Sequence, residues 1–117
     1  MNSAEHCKLI TCIVPNDGTD RELLRALRQE KNVIRATSLR AQGMAVLEDA
    51  KTAPNELPEP RMVRIVRIVA AETEAGELFS YVFDKARIDR PGGGVIFMSG
   101  SITATPFNLP EGLPGEA

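Results

Sequence analysis

Asp89-Arg90-Pro91-Gly92-Gly93-Gly94 runs directly into Val95-Ile96-Phe97-Met98. Three consecutive glycines remove every Cβ from a short loop, so its amide groups can turn inward and approach a ligand closely. The β-branched and aromatic run that follows reads as a buried strand. A helix-like segment ending near Ala86 precedes the loop. Helix, basic residue, bare loop and strand together form a cradle suited to an anion such as a nucleotide phosphate. The same residues also fit a tight helix-to-strand turn that uses glycine only for its backbone freedom.

Upstream of the loop, Ala75, Leu78, Phe79, Val82, Phe83 and Ala86 recur at three-and-four spacing, which predicts a helix from about Thr73 to Ala86 with one apolar face. Before it, Met62 to Val69 predicts a strand, apolar except for Arg64 and Arg67. Those two arginines are three apart and must point to opposite faces. Apolar residues also lie on both faces, so one face is expected to meet the helices and the other a second subunit.

At the other end of the chain, Lys8 to Val14 predicts a first strand, closed by Pro15, Asn16, Asp17 and Gly18. Thr19-Asp20-Arg21-Glu22 has the form of a capping box, and Leu23, Leu24 and Leu27 carry a helix to about Lys31, with Asn32 as its C-terminal cap. Val33 to Leu39 follows as a weaker second strand. Arg40 to Arg61, with Gly43, Pro54, Pro58 and Pro60, reads as a long mobile loop, and connections of this length are functional or disordered more often than structural. After Gly100, Ser101 to Thr105 could add a short edge strand. Residues 1–105 then form one domain, and 106–117, rich in Pro and Gly, a flexible tail. The order is β-α-β-β-α-β: an α+β, ferredoxin-like plan, with a four-stranded antiparallel sheet and both helices on one face. The other face has too many apolar residues to stay wet, so oligomerisation is expected.

The chain has 117 residues, 43% hydrophobic and 26% charged, which fits a single core. A net charge of −2 argues against a nucleic-acid binder that works by neutralising phosphates. No stretch has the length of a membrane span and the N-terminus lacks a signal-like apolar run, so a cytoplasmic protein is expected. Cys7 and Cys12 are too few for a disulfide framework, and Cys12 reads as a small buried hydrophobe. His6 and Cys7 adjoin but lack the second cluster of a closed zinc site, so no metal is expected.

From Lys8 to about Gly100 this pattern resembles the PII family of signal-transduction proteins, and especially its divergent PII-like members. The resemblance is most specific in Ala86-Arg-Ile-Asp-Arg-Pro-Gly-Gly-Gly-Val-Ile-Phe-Met98, and is supported by Val63 to Val69 and by the long loop before it. It implies a homotrimer with bare sheet faces at its centre, adenine nucleotides in the clefts between subunits, and a partner-contacting T-loop at 40–61. It implies that Gly92, Gly93 and Gly94 hold the phosphates with Arg90 beside them, that Gly43 passes the adenine at the T-loop root, and that Ile13 and Ile68 line the base. Plain core is the competing reading for Ile13 and Ile68.

The departures from the family pattern are specific. Val95 stands where a basic residue normally follows the loop, and Ser101-Ile102-Thr103-Ala104-Thr105 replaces an Arg-x-Arg. Each charge-assisted phosphate contact is worth about 1.5–3 kcal/mol, so ADP or AMP is expected to bind better than ATP. The only tyrosine is Tyr81, which excludes uridylylation of a T-loop tyrosine. Gln42 lies in the wrong place to support a magnesium and 2-oxoglutarate site. PII-like relatives are linked to membrane transporters and to inorganic-carbon uptake and carboxysomes. Carbon metabolism is the favoured branch, with bicarbonate a candidate ligand where Arg40 and T-loop amides converge. No cofactor is required on this reading and no catalysis is expected.

Three rivals stand beside it. Acylphosphatase shares the plan, and Pro15-Asn16-Asp17-Gly18 with Arg21 offers its residue types, though Asp17 would repel a phosphoryl group. An RNA-binding module of the RRM type needs aromatics that the third strand lacks. A trimeric scaffold without ligand would use the glycine loop only as a turn.

Overall fold

The computed structural model describes residues 4–43 and 61–106. Residues 44–60 of the expected T-loop, and the tail from 107 onward, lie outside the described residues.

The chain runs β1 (Glu5–Pro15), α1 (Thr19–Lys31), β2 (Ala36–Gly43), β3 (Arg61–Ala71), α2 (Ala75–Lys85) and β4 (Val95–Ala104). The strands form one antiparallel sheet in the order β2-β3-β1-β4, the ferredoxin-like arrangement. β1 and β3, the central pair, carry the longest β-branched runs, which suit pleated strands paired along both edges.

Register assigns every side chain to a face. Ile10 lies opposite Ile68 and Met98, and Cys12 opposite Val66 and Ile96. These residues meet Leu23 and Leu27 of α1 and Ala75, Leu78, Val82 and Ala86 of α2 in the core. Burial there pushes the Cys12 thiol up to about 11, so it packs as a neutral hydrophobe. Phe79 packs against the core, whereas Phe83 is only half-buried. Between the helices, the Tyr81 hydroxyl donates to Glu30 Oε1 at 2.5 Å and Lys31 lies 4.9 Å over the ring.

The opposite face is bare. Leu39, Ile65, Ile13 and Val95 form an unbroken apolar row across all four strands. Beside it runs Thr37, Arg67, Thr11 and Phe97, with Phe97 51% exposed. Arg64 and Arg67 do point to opposite faces, Arg64 towards the helices.

Several boundaries differ from the sequence reading: β1 starts at Glu5, β2 starts only at Ala36 and β3 runs to Ala71. β2 continues through Arg40 to Gly43 and β3 starts at Arg61, because the two strands keep pairing to Gly43–Arg61. α2 begins at Ala75 instead of Thr73, with Glu74 as its N-cap residue. β4 and the expected edge strand are one strand, since a bulge at Ser99–Gly100 absorbs an extra residue opposite Leu9. The Leu9 amide donates to Ser99 Oγ at 2.8 Å, which satisfies a group that the bulge takes out of the ladder. Finally, Thr19 is the first residue of α1 and not its cap. Gly18 is the cap residue, and no side chain closes a capping box. The Asp17 carboxylate accepts from the Thr19 amide at 3.1 Å and from its hydroxyl at 2.5 Å, and so takes the hydroxyl away from the capping position.

Candidate functional site

The glycine loop follows α2, whose C-terminal turn closes through the Ala86 amide on the Val82 carbonyl and the Ile88 amide on the Phe83 carbonyl. Arg87 adopts a positive φ of 53°, which turns the chain back towards the sheet. The three glycines then have separate jobs. A Cβ on Gly93 would stand 2.6 Å from the Arg87 carbonyl oxygen and 2.8 Å from that of Ile88, and the Gly93 amide already donates to the Arg90 carbonyl. A Cβ on Gly94 would lie 1.8 Å from the Ile13 carbonyl oxygen, at a φ of 105°. Both glycines therefore let the loop pack, Gly93 on itself and Gly94 on β1. Gly92, with φ 71°, has nothing within 4 Å of its Cβ position. It is the one of the three that opens onto free space.

Arg90 is tied across the loop's rim. Its stem lies over Gly93, and Nη2 donates to Asp17 Oδ2 at 3.1 Å and to Thr19 Oγ1 at 2.9 Å. Its Nε is buried with no hydrogen-bond partner. Burial pushes the Asp17 carboxyl up, but bonds from the Thr19 hydroxyl and amide and the Arg90 charge outweigh it and hold it below its ordinary value. Asp17 is thus a carboxylate in the loop after β1, where the acylphosphatase reading needs groups that welcome an anion.

A second cluster lies one helical turn on. Asp20 accepts from Ser38 Oγ at 2.7 Å and from Arg64 Nε at 3.0 Å. Burial again raises this carboxyl, and the Ser38 bond with the bond and charge of Arg64 brings it below the ordinary range. The sequence reading did not single out Asp20. The signal available was Arg64, a cation on the helix-facing side of an otherwise apolar strand, which needs a buried anion.

The other expected site residues are placed as follows. Ile13 lies half-buried on the bare face beside Val95, and its carbonyl supports Gly94. Ile68 belongs to the core between sheet and helices with 0% exposure, so it has no surface to offer a base. It faces inward because its register partner is Ile10. Arg40 is exposed and pairs in register with Arg64, and Gly43 ends β2 opposite Arg61. The sheet order puts Arg40 and Gly43 on one edge strand and the glycine loop at the start of the other. Three strand spacings of about 4.8 Å separate those edges. One subunit does not bring them together.

At the opposite end, a cavity of about 300 Å³ lies among Lys31, Asn32, Arg35, Val69, Glu74 and Leu78. Near it, Arg35 pairs with Glu5 at 2.8 Å and covers the buried Cys7. Among the described residues no group of three or more His, Cys, Asp or Glu could hold a metal ion. No described helix is long and apolar enough to cross a membrane.

No protein-family model and no curated protein matches the chain. Among solved structures, that of B. subtilis GlnK in complex with ATP superposes with a TM-score of 0.63, covering 83% of this chain and 82% of that one at 15% identity. The chain shares its fold with GlnK.

Proposed function

We propose that this chain is a PII-like regulatory protein: a homotrimer that binds an adenine nucleotide between subunits and uses residues 40–61 as a T-loop towards a partner. GlnK is a PII protein, and its matching structure is an ATP complex. The observation that carries the reading is the separation of Gly43 and Arg40 from the glycine loop, on opposite edges of a sheet whose bare face is apolar. Closed symmetry covers such a face and brings the two edges of neighbouring subunits side by side.

Gly92, with its open side, and Arg90 are the residues proposed to meet the phosphates, with Ile13 and Gly43 near the base. Ile68 supports the core behind them. The lack of further basic residues, at Val95 and at 101–105, favours ADP or AMP over ATP. Regulation of inorganic-carbon metabolism, through a transporter or a carbon-metabolism protein and with bicarbonate near Arg40, is the branch proposed for the partner. A trimeric scaffold without ligand is the second reading. It is favoured by Gly93 and Gly94, whose absence of side chains the loop's own packing already explains.

Calorimetric titration of AMP, ADP and ATP, with light scattering for mass, separates the two. A trimer with ADP or AMP bound tightest is expected, together with altered hydrogen exchange across 40–61. A monomer would remove the inter-subunit site, and a trimer that binds none of the three would leave the scaffold. Substitution of Gly93 is a poor probe, since any side chain there strikes the loop itself. Gly92→Asn tests the open side instead, since asparagine tolerates the left-handed φ of 71°, and is expected to weaken nucleotide binding at least tenfold.

A further inference from the structure

Asp17 and Arg90 are 73 residues apart in sequence and meet at 3.1 Å on the rim of the glycine loop. Their side chains are 41% and 27% exposed, so an incoming ligand can reach the pair. The guanidinium that would serve a phosphate is therefore already held by a carboxylate. That carboxylate cannot simply swing aside. Its other oxygen, Oδ1, is anchored by the amide and hydroxyl of Thr19 at the start of α1. Arg90 Nε has no partner but is buried, so a ligand reaches Arg90 only through its terminal nitrogens.

We propose that Asp17 is the residue that sets the phosphate charge accepted at the glycine loop, because its carboxylate occupies the Arg90 position that a terminal phosphate would otherwise take. A monophosphate can sit beside Gly92 and leave the Asp17–Arg90 pair intact. Each further phosphate brings negative charge towards Asp17, and must either displace it from Arg90 or remain beside it unpaired. Discrimination against ATP is then an active property of this carboxylate, in addition to the absence of basic residues elsewhere. The proposal rests on the nucleotide reading given above.

The test is titration of AMP, ADP and ATP into the full-length protein and its Asp17→Asn variant by calorimetry. Asparagine keeps an oxygen for the Thr19 amide and loses the charge. The ratio of ATP to AMP affinity is expected to rise about tenfold or more, the range of one charge-assisted contact. The rise should shrink as salt is added. Thr19→Val keeps the carboxylate charge but removes both a neutral partner of Arg90 and one anchor of Asp17 Oδ1, so it should raise the ratio less than Asp17→Asn does. If Asp17→Asn does not fold, as judged by thermal unfolding, Asp17→Ser carries the same prediction, because serine also accepts bonds at a helix start. Nucleotide binding with an unchanged ratio overturns the role of Asp17 and leaves the nucleotide reading standing, as does wild-type protein that prefers ATP. Failure of all three nucleotides to bind either protein overturns both.

Discussion

Asp17 and Asp20 stand one helical turn apart, each paired with an arginine far away in sequence, and they do different work. The Asp20 side chain is 3% exposed and joins α1 to β2 and β3 through Ser38 and Arg64. The Asp17 side chain is 41% exposed and joins the same helix start to the glycine loop through Arg90. An ion pair in the interior is costly to break because the surviving charge is stranded, whereas one at the surface can turn to water. Asp20 is therefore tied to stability, whereas Asp17, accessible at the rim, is placed to act on a ligand.

The largest effect expected from this contrast is that of Arg64→Met. It leaves the Asp20 carboxylate buried with no cation beside it, held only by the neutral Ser38 hydroxyl and Arg21 amide, and should cost about 3 kcal/mol in denaturant-induced unfolding. A loss well under 1 kcal/mol would show that Asp20 does not depend on Arg64, and the contrast would collapse.

Acid sharpens the same point. The folded Asp20 carboxyl lies below its ordinary value, so its contribution is present above about pH 4 and is lost as pH falls through the lower folded value. In Arg64→Met, burial is opposed only by the neutral bonds from Ser38 and the Arg21 amide, and the carboxyl takes up a proton more readily in the folded state than in wild type. The stability gap between the two proteins should therefore narrow from pH 7 to pH 3. A gap that widens would assign the coupling to another group.

The smallest effect is expected at the exposed pair. Asp17→Asn keeps the bond to the Thr19 amide and loses a solvent-screened charge, so unfolding should shift by less than about 1 kcal/mol. The shift should diminish further in high salt. A loss as large as that of Arg64→Met would make Asp17 structural and undercut its role towards ligands.

Much of this architecture was legible in the residues. Leu23, Leu24 and Leu27 with Asn32 placed the end of α1 near Lys31, and the helix ends there with Asn32 at a left-handed φ of 56°. The odd spacing of Arg64 and Arg67 put them on opposite faces. What local pattern could not supply was partnership over distance. Thr19 and Glu22 match a capping box, but Asp17 competes for the Thr19 hydroxyl, and that competition shows only in three dimensions. Ile68 and Ile65 look alike in an apolar run, and only pairing with β1 decides which of them faces the helices. The glycines read as a single motif, yet their separate jobs depend on the carbonyls of Arg87, Ile88 and Ile13. Asp20 was not legible as a site because Ser38 and Arg64 lie 18 and 44 residues away.

The bulge at Ser99–Gly100 acts on β4 as a frameshift acts on a message. Before it, Val95 and Phe97 share the bare face; after it, Ile102 lies opposite Cys7 on that same side, an odd number of residues from Phe97. One strand thus carries two phases of alternation, and the extra residue keeps both in step with an uninterrupted β1. Deletion of Gly100 would leave Val95 to Met98 in place and turn Ile102 and Ala104 over, uncovering Cys7. Deletion of Thr105, just past the last pair, would disturb none of these registers. Tolerance of length change along this strand is therefore set by one position, and the chain's apparently idle Ser-Gly step is where its spacing is most tightly constrained.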